Sequence, residues 1–133
     1  MMGSVLLVLI VAFMAYVRLA PLEQSRWHQP IDAASDVDFA GGAIRVLKGD
    51  AALFERLDRA LSDLPRTQLL AGSAAQGRVT YVSRSALFGF PDLTTVEWDA
   101  GEVRLYARLR FGASDLGVNR KRLEGLIASV QGG

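Results

Sequence analysis

The chain predicts an α+β fold, a two-layer sandwich in which two helices cover one face of an antiparallel sheet of about five strands, ordered β-α-β-β-β-β-α. Three observations carry this. Two segments repeat their apolar residues at helical spacing, Leu53, Phe54, Leu57, Leu61, Leu64 and then Leu123, Leu126, Ile127, Val130. Between them lie alternating segments joined at hairpin-type turns. Ahead of all this stands "VLLVLIVAFMAYV" (5–17), an unbroken apolar run that belongs to no sandwich.

That run sets the organisation at 1–20 a transmembrane anchor, 21–41 a tether and 42–131 the α+β domain. No charged side chain occurs in residues 1–17, and residues 2–20 approach the roughly 20 residues that a spanning helix needs, with Arg18 snorkelling to the interface. Pro21 then stops the helix. A cleaved signal peptide is the competing reading; it wants a basic leader and a small-x-small cleavage triplet, and neither is evident. Arg18 and Arg26 follow the helix and no Lys or Arg precedes it, which by charge bias alone keeps the domain cytoplasmic. Residues 21–41 contain prolines and glycines without sustained periodicity. Trp27 there reads as an interfacial anchor or as packed on the domain.

In the domain, "AIRVL" (43–47) is a strand. Asp50 caps a helix whose outer face carries the Glu55 and Arg59 pair, and Pro65 closes it. "TQLLAGSA" and "RVTYVSRS" flank a turn at Gly77. "LTTVEWD" and "EVRLYARLRF" flank Ala100-Gly101. Setting Asp99 opposite Glu102 matches Trp98 with Val103, Val96 with Leu105, Glu97 with Arg104 and Thr95 with Tyr106. A shift of one residue would put Glu97 against Val103. This register requires positive φ at Ala100 in a type I′ turn. The face of the sheet away from the helices is expected to stay wet.

Composition excludes much. There are 15 basic and 14 acidic side chains, so no global field draws nucleic acid. Without cysteine there is no disulfide, thiol nucleophile or cysteine metal site, and the single histidine, His28, lies in the expected tether. No set of His, Asp and Glu has ligand spacing, so neither a metal nor a cofactor is expected, and no catalytic residue is assigned.

The best site signal is "RLRFGASDLGVNRKRLEGL" (108–126), where Arg120, Lys121 and Arg122 crowd a helix start, the end that disfavours cations. Arg108, Arg110, Asp115, Asn119 and Arg122 are the anion- or partner-binding candidates. Gly112, Ser114 and Gly117 form the turn, and Arg84 with Asp92 is a candidate salt bridge across the preceding loop. Asp115 is expected to neutralise Arg108, Arg110 or Arg122 and pin helix to sheet. The alternative is an anion site made of helix N–H groups and guanidiniums.

This run, with "YVSRSALFGFPD" before it, resembles a bacterial and chloroplast family known as domain of unknown function 1499, over roughly residues 42–130. Gly112, Ser114, Asp115, Leu116, Gly117, Val118, Asn119 and Arg122 carry the likeness. The resemblance implies an envelope or organelle location, hence a single-pass protein of the cell membrane with its domain on the periplasmic side, the cytoplasmic side being the alternative. It implies no activity. The expectation is a membrane-anchored, non-catalytic domain binding an anionic lipid, another anionic ligand or a protein partner. One alternative is an enzyme using Asp92 or Asp115 as acid–base beside Arg108 and Arg110. Another is a lipid-binding domain, which needs a cavity between sheet and helices; Trp98, Phe54 and Phe111, taken as inward-facing, argue for a filled core.

Overall fold

A computed structural model describes residues 1–131. Its elements are α1 (Met2–Leu19), α2 (Gln24–Trp27), β1 (Val37–Phe39), β2 (Gly42–Lys48), α3 (Ala51–Ser62), β3 (Thr67–Ser73), a 3-10 turn (Ala74–Gln76), β4 (Arg78–Arg84), β5 (Pro91–Asp99), β6 (Glu102–Leu109) and α4 (Val118–Gln131). The sheet is open and antiparallel, in the order β1-β2-β6-β5-β4-β3. It has six strands rather than about five, because Val37–Phe39 adds an edge strand from within the segment expected as a tether.

Local chemistry explains the elements. The Asp50 carboxylate accepts the Leu53 amide at 3.0 Å and starts α3. The apolar stripe of α3 packs Leu53, Phe54, Leu57 and Leu61 against Val79, Val96, Val103, Leu105 and Ala107 of the sheet, with Leu123 and Leu126 of α4. Most of these are under 2 % exposed, so the layer between helices and sheet is filled with side chains. The β5–β6 register is Asp99 to Glu102, Trp98 to Val103, Val96 to Leu105, Glu97 to Arg104 and Thr95 to Tyr106. Ala100 and Gly101 take φ of 52° and 82°, the left-handed pair that a tight hairpin twisting with its strands demands.

Some side chains differ from expectation. Trp98, the second-last residue of β5, is 38 % exposed and so does not fill the core. Phe111 lies beyond β6, and its ring meets Tyr16 of α1 at 5.8 Å. Glu97 and Arg104 are register neighbours, yet Glu97 pairs with Arg78 at 3.1 Å and Arg104 with Glu102 at 2.8 Å.

The largest departure is the second face of the sheet, which is covered. Residues 21–35 lie across it. Trp27 packs on Val82 and Leu93 with Leu22 and Leu70 alongside, and Ile31 is also buried. The covering strip is held by polar groups that the strands present by period two. The Ile31 amide donates to the Glu97 carboxylate, and the Arg104 guanidinium donates to the Ala33 carbonyl at 3.2 Å. His28 Nδ1 lies 2.8 Å from Thr80 Oγ1, which lies 2.8 Å from Thr95 Oγ1. Aperiodic sequence hid this cover, since a strip lying across strands needs isolated anchors and not a repeat.

Helix α1 stands apart. It is 18 residues long with a mean hydropathy of 2.2, long and apolar enough to cross a membrane. Only its last turns touch the domain, where Val17 is buried.

Candidate functional site

The seam between β6 and α4 is built as a cap. After Gly112, at φ 103°, the chain turns, and the Asp115 amide donates to the Ala40 carbonyl at 2.9 Å. Ser114 Oγ accepts the Leu116 amide at 3.3 Å. The two oxygens of Asp115 accept the Gly117 amide at 2.8 Å and the Asn119 amide at 3.0 Å. The Asp115 side chain therefore caps α4 from just outside its first turn, and its negative charge sits at the positive end of the helix. Partial burial pushes its pKa up, but the amide bonds from Asn119 and Gly117 together outweigh that and hold it below the usual carboxylate range. Left-handed backbone falls on Leu116 and Gly117, and Asn119 lies within α4.

No guanidinium clasps Asp115 in a salt bridge among the described residues. The lock is displaced to Asp92, whose Oδ2 lies 3.4 Å from Arg122 Nη1, with both side chains 18 % exposed. The Asn119 side-chain carbonyl accepts from the same guanidinium. Burial raises the pKa of Asp92; Arg122 opposes this, and Asp115 nearby adds to the rise. Arg122 thus sits over a carboxylate on the helix side of the sheet. Arg45 is held likewise on that side, by Asp38 at 2.7 Å and Glu124 at 3.2 Å.

Arg108 and Arg110 do not join this group. Alternation sends Arg108 to the other face, where it is 7 % exposed and donates to Thr95 Oγ1 at 2.9 Å, to the Tyr106 carbonyl at 3.0 Å and to the Trp27 carbonyl. Its guanidinium also sits over the rings of Tyr106 (4.4 Å) and Trp27 (5.4 Å). With no carboxylate partner among the described residues, burial lowers its pKa to about 10. Arg108 clamps the covering strip. Arg110 lies over the Phe111 ring at 4.7 Å and lines a small cleft with Glu23, Arg26 and Trp27.

Arg84 does not meet Asp92 either, since Ser83 is the register partner of Asp92 and Arg84 faces the opposite way. It contributes instead to a site that the sequence concealed. Arg18, Arg66 and Arg84 line a cleft of about 560 Å3 with apolar walls from Leu22, Leu69, Leu70 and Val82. Arg84 donates to the Gly89 carbonyl at 3.0 Å, Arg66 to the Arg84 carbonyl at 2.9 Å and Arg18 to the Leu87 carbonyl at 3.1 Å. None of the three makes a salt bridge among the described residues. Burial, and then the Arg18 charge, lower the pKa of Arg84. Three guanidiniums without an acid are an electrostatic deficit that an anion would relieve. The only sequence signal was the lack of any acidic residue from Arg78 to Phe90.

Fold and site together define a small α+β domain, its sheet covered on both faces, with an arginine-lined cleft where it meets an apolar N-terminal helix. The chain belongs to the family of proteins of unknown function designated DUF1499, whose model matches residues 25–130. The match begins upstream of the expected residue 42 and takes in Trp27 and residues 25–35 of the strip over the second face. Among curated proteins none matches the chain.

Proposed function

We propose that this protein is a membrane-anchored, non-catalytic binding domain whose ligand carries a phosphate-type anion, held by Arg18, Arg66 and Arg84. The observation that carries the reading is the convergence of these three guanidiniums, without a salt-bridge partner among the described residues, on one partly apolar cleft. Guanidiniums match phosphate oxygens in bidentate geometry, and apolar walls suit an attached hydrocarbon. The anchor reading rests on the length and hydropathy of α1. The bilayer is taken to be the cell membrane, crossed once, with the domain on the periplasmic side that the family resemblance implies. A reporter fused after Gly133 checks the side.

The test is binding to the full-length protein in neutral detergent by native mass spectrometry and titration. The probes are short-chain phosphatidylglycerol, inorganic phosphate and, as the uncharged control, short-chain phosphatidylcholine. Charge-assisted bonds contribute about 1.5–3 kcal/mol each, so Arg66→Ala and Arg84→Ala should each weaken the anionic probe by tenfold or more. Preference for phosphatidylglycerol identifies a lipid headgroup, and equal binding of inorganic phosphate identifies a soluble anion. Affinity for all three probes that ignores both substitutions refutes the site.

The acid–base alternative draws support from the raised pKa of Asp92. Against it, Asp92 is engaged by Arg122, and the seam cleft of about 260 Å3 is lined by Asp115 and Arg120 without Asp92.

A further inference from the structure

The loop from Ser85 to Phe90, joining β4 to β5, is apolar at its tip. Leu87 is 70 % and Phe88 40 % exposed, and no charged residue lies between Arg84 and Asp92. The loop is fastened to α1 and points back along it. Arg18 donates to the Leu87 and Phe88 carbonyls at 3.1 and 3.5 Å. The Phe90 ring meets Phe13 edge-on at 6.0 Å and Phe88 at 5.7 Å. Gly89, at φ 76°, lies so near Arg18 that a Cβ there would come within 2.8 Å of its Nε.

We infer that this loop is a second membrane contact, immersed beside α1 in the leaflet that the helix enters. The inference rests on α1 spanning a bilayer and does not depend on the anion site. At a rise of about 1.5 Å per residue, Phe13 lies roughly 9 Å below Leu19, and α1 itself is about 27 Å long, close to the hydrocarbon thickness of about 30 Å. A ring in contact with Phe13 is therefore below the headgroups. Immersed backbone must find internal partners, and most of this loop's carbonyls have them. The carbonyls of Leu87 and Phe88 are taken by Arg18 and that of Gly89 by Arg84. Those of Ser85 and Phe90 accept the Gly89 and Ser85 amides, and the Phe90 amide donates to Ser85 Oγ. The apolar tip continues the apolar surface of α1, and Arg18 and Arg84 stand where headgroup phosphates would be. The domain then sits on the membrane in a set orientation.

The cysteine-free chain permits single-site labelling. Leu87→Cys, in the full-length protein reconstituted into phosphatidylcholine vesicles, carries an environment-sensitive fluorophore, and Gln76→Cys at the opposite end of β4 is the aqueous control. The expected result is blue-shifted emission at position 87, quenched several-fold more than at 76 by lipids spin-labelled in the acyl chain. Emission and quenching alike at both positions, in protein that resists carbonate extraction, overturn the loop contact and leave the anchor standing. Release by carbonate overturns the anchor and the loop contact together. Disulfide-linked dimers of the unlabelled Leu87→Cys protein, without lipid quenching of the labelled form, assign the tip to a second copy of the chain and also overturn it.

Discussion

Replacing Asp115 with Ala removes the acceptor of two amides, those of Gly117 and Asn119 at 2.8 and 3.0 Å. Loss of a capping side chain at a helix start costs about 1 kcal/mol and up to about 2. Loss of a negative charge at the helix start adds about 0.3–1 kcal/mol, and Arg120, Lys121 and Arg122 leave that end strongly cationic. The expected destabilisation is roughly 1.5–2.5 kcal/mol. For a domain of this size it lowers Tm by on the order of 10 °C, readable by circular dichroism of the full-length protein in detergent. The folded pKa of Asp115 is depressed, so its contribution is present above the unfolded value of about 3.9 and is lost as pH falls through the lower folded value. The gap between wild type and variant should hold from about pH 7 to about 4 and then narrow. Asp115→Asn, which keeps an acceptor without the charge, should fall between the two. Arg122 answers to Asp92 and meets Asp115 only through the shared Asn119, so the Asp115→Ala and Arg122→Ala losses should couple by about 0.5–1 kcal/mol. A coupling well above that would reinstate the guanidinium clasp. An Asp115→Ala protein as stable as wild type would refute the cap.

Three further outcomes follow from the covered face and the hairpin. Burial, and then the charges of Arg78 and Arg108, lower the pKa of His28, so protonation opposes the fold. Stability of the strip should fall as pH drops below the unfolded value of about 6.5, read as a red shift of Trp27 emission in a Trp98→Phe background, and His28→Gln should flatten the response. Arg108→Ala removes bonds to Thr95 and to the Trp27 and Tyr106 carbonyls. It should cost about 2–4 kcal/mol and expose Trp27 to aqueous quenchers at neutral pH. Ala100→Gly relieves a left-handed alanine at φ 52° and should stabilise the hairpin by roughly 0.5–1 kcal/mol, measured as a rise in Tm.

Much of the fold was legible because its signals are local. The stripes on α3 and α4, the Asp50 cap, and the hairpin with Ala100 at positive φ depend on residues a few positions apart, where the period of helix or strand dictates who shares a face. The same alternation already separated Arg108 and Arg110 from inward-facing Leu105 and Ala107, and it placed Asp92 and Arg84 on opposite faces once Ser83 paired with Asp92. The strip at residues 21–35 was not legible, because single anchors such as Trp27 and Ile31 bind across strands and leave no repeat.

Taken alone, the sequence determined the α+β architecture with two helices on one face of the sheet, the β5–β6 register and an apolar N-terminal helix. Tertiary structure decided which charges meet. It put Arg122 over Asp92, buried Arg108 under Trp27, and drew Arg18, Arg66 and Arg84 from three distant segments into one cleft. The physical reason is range. Periodicity and capping act over a turn or a strand, whereas an ion pair or a cluster of like charges exists only after strand order and helix docking have brought remote segments within a few ångströms.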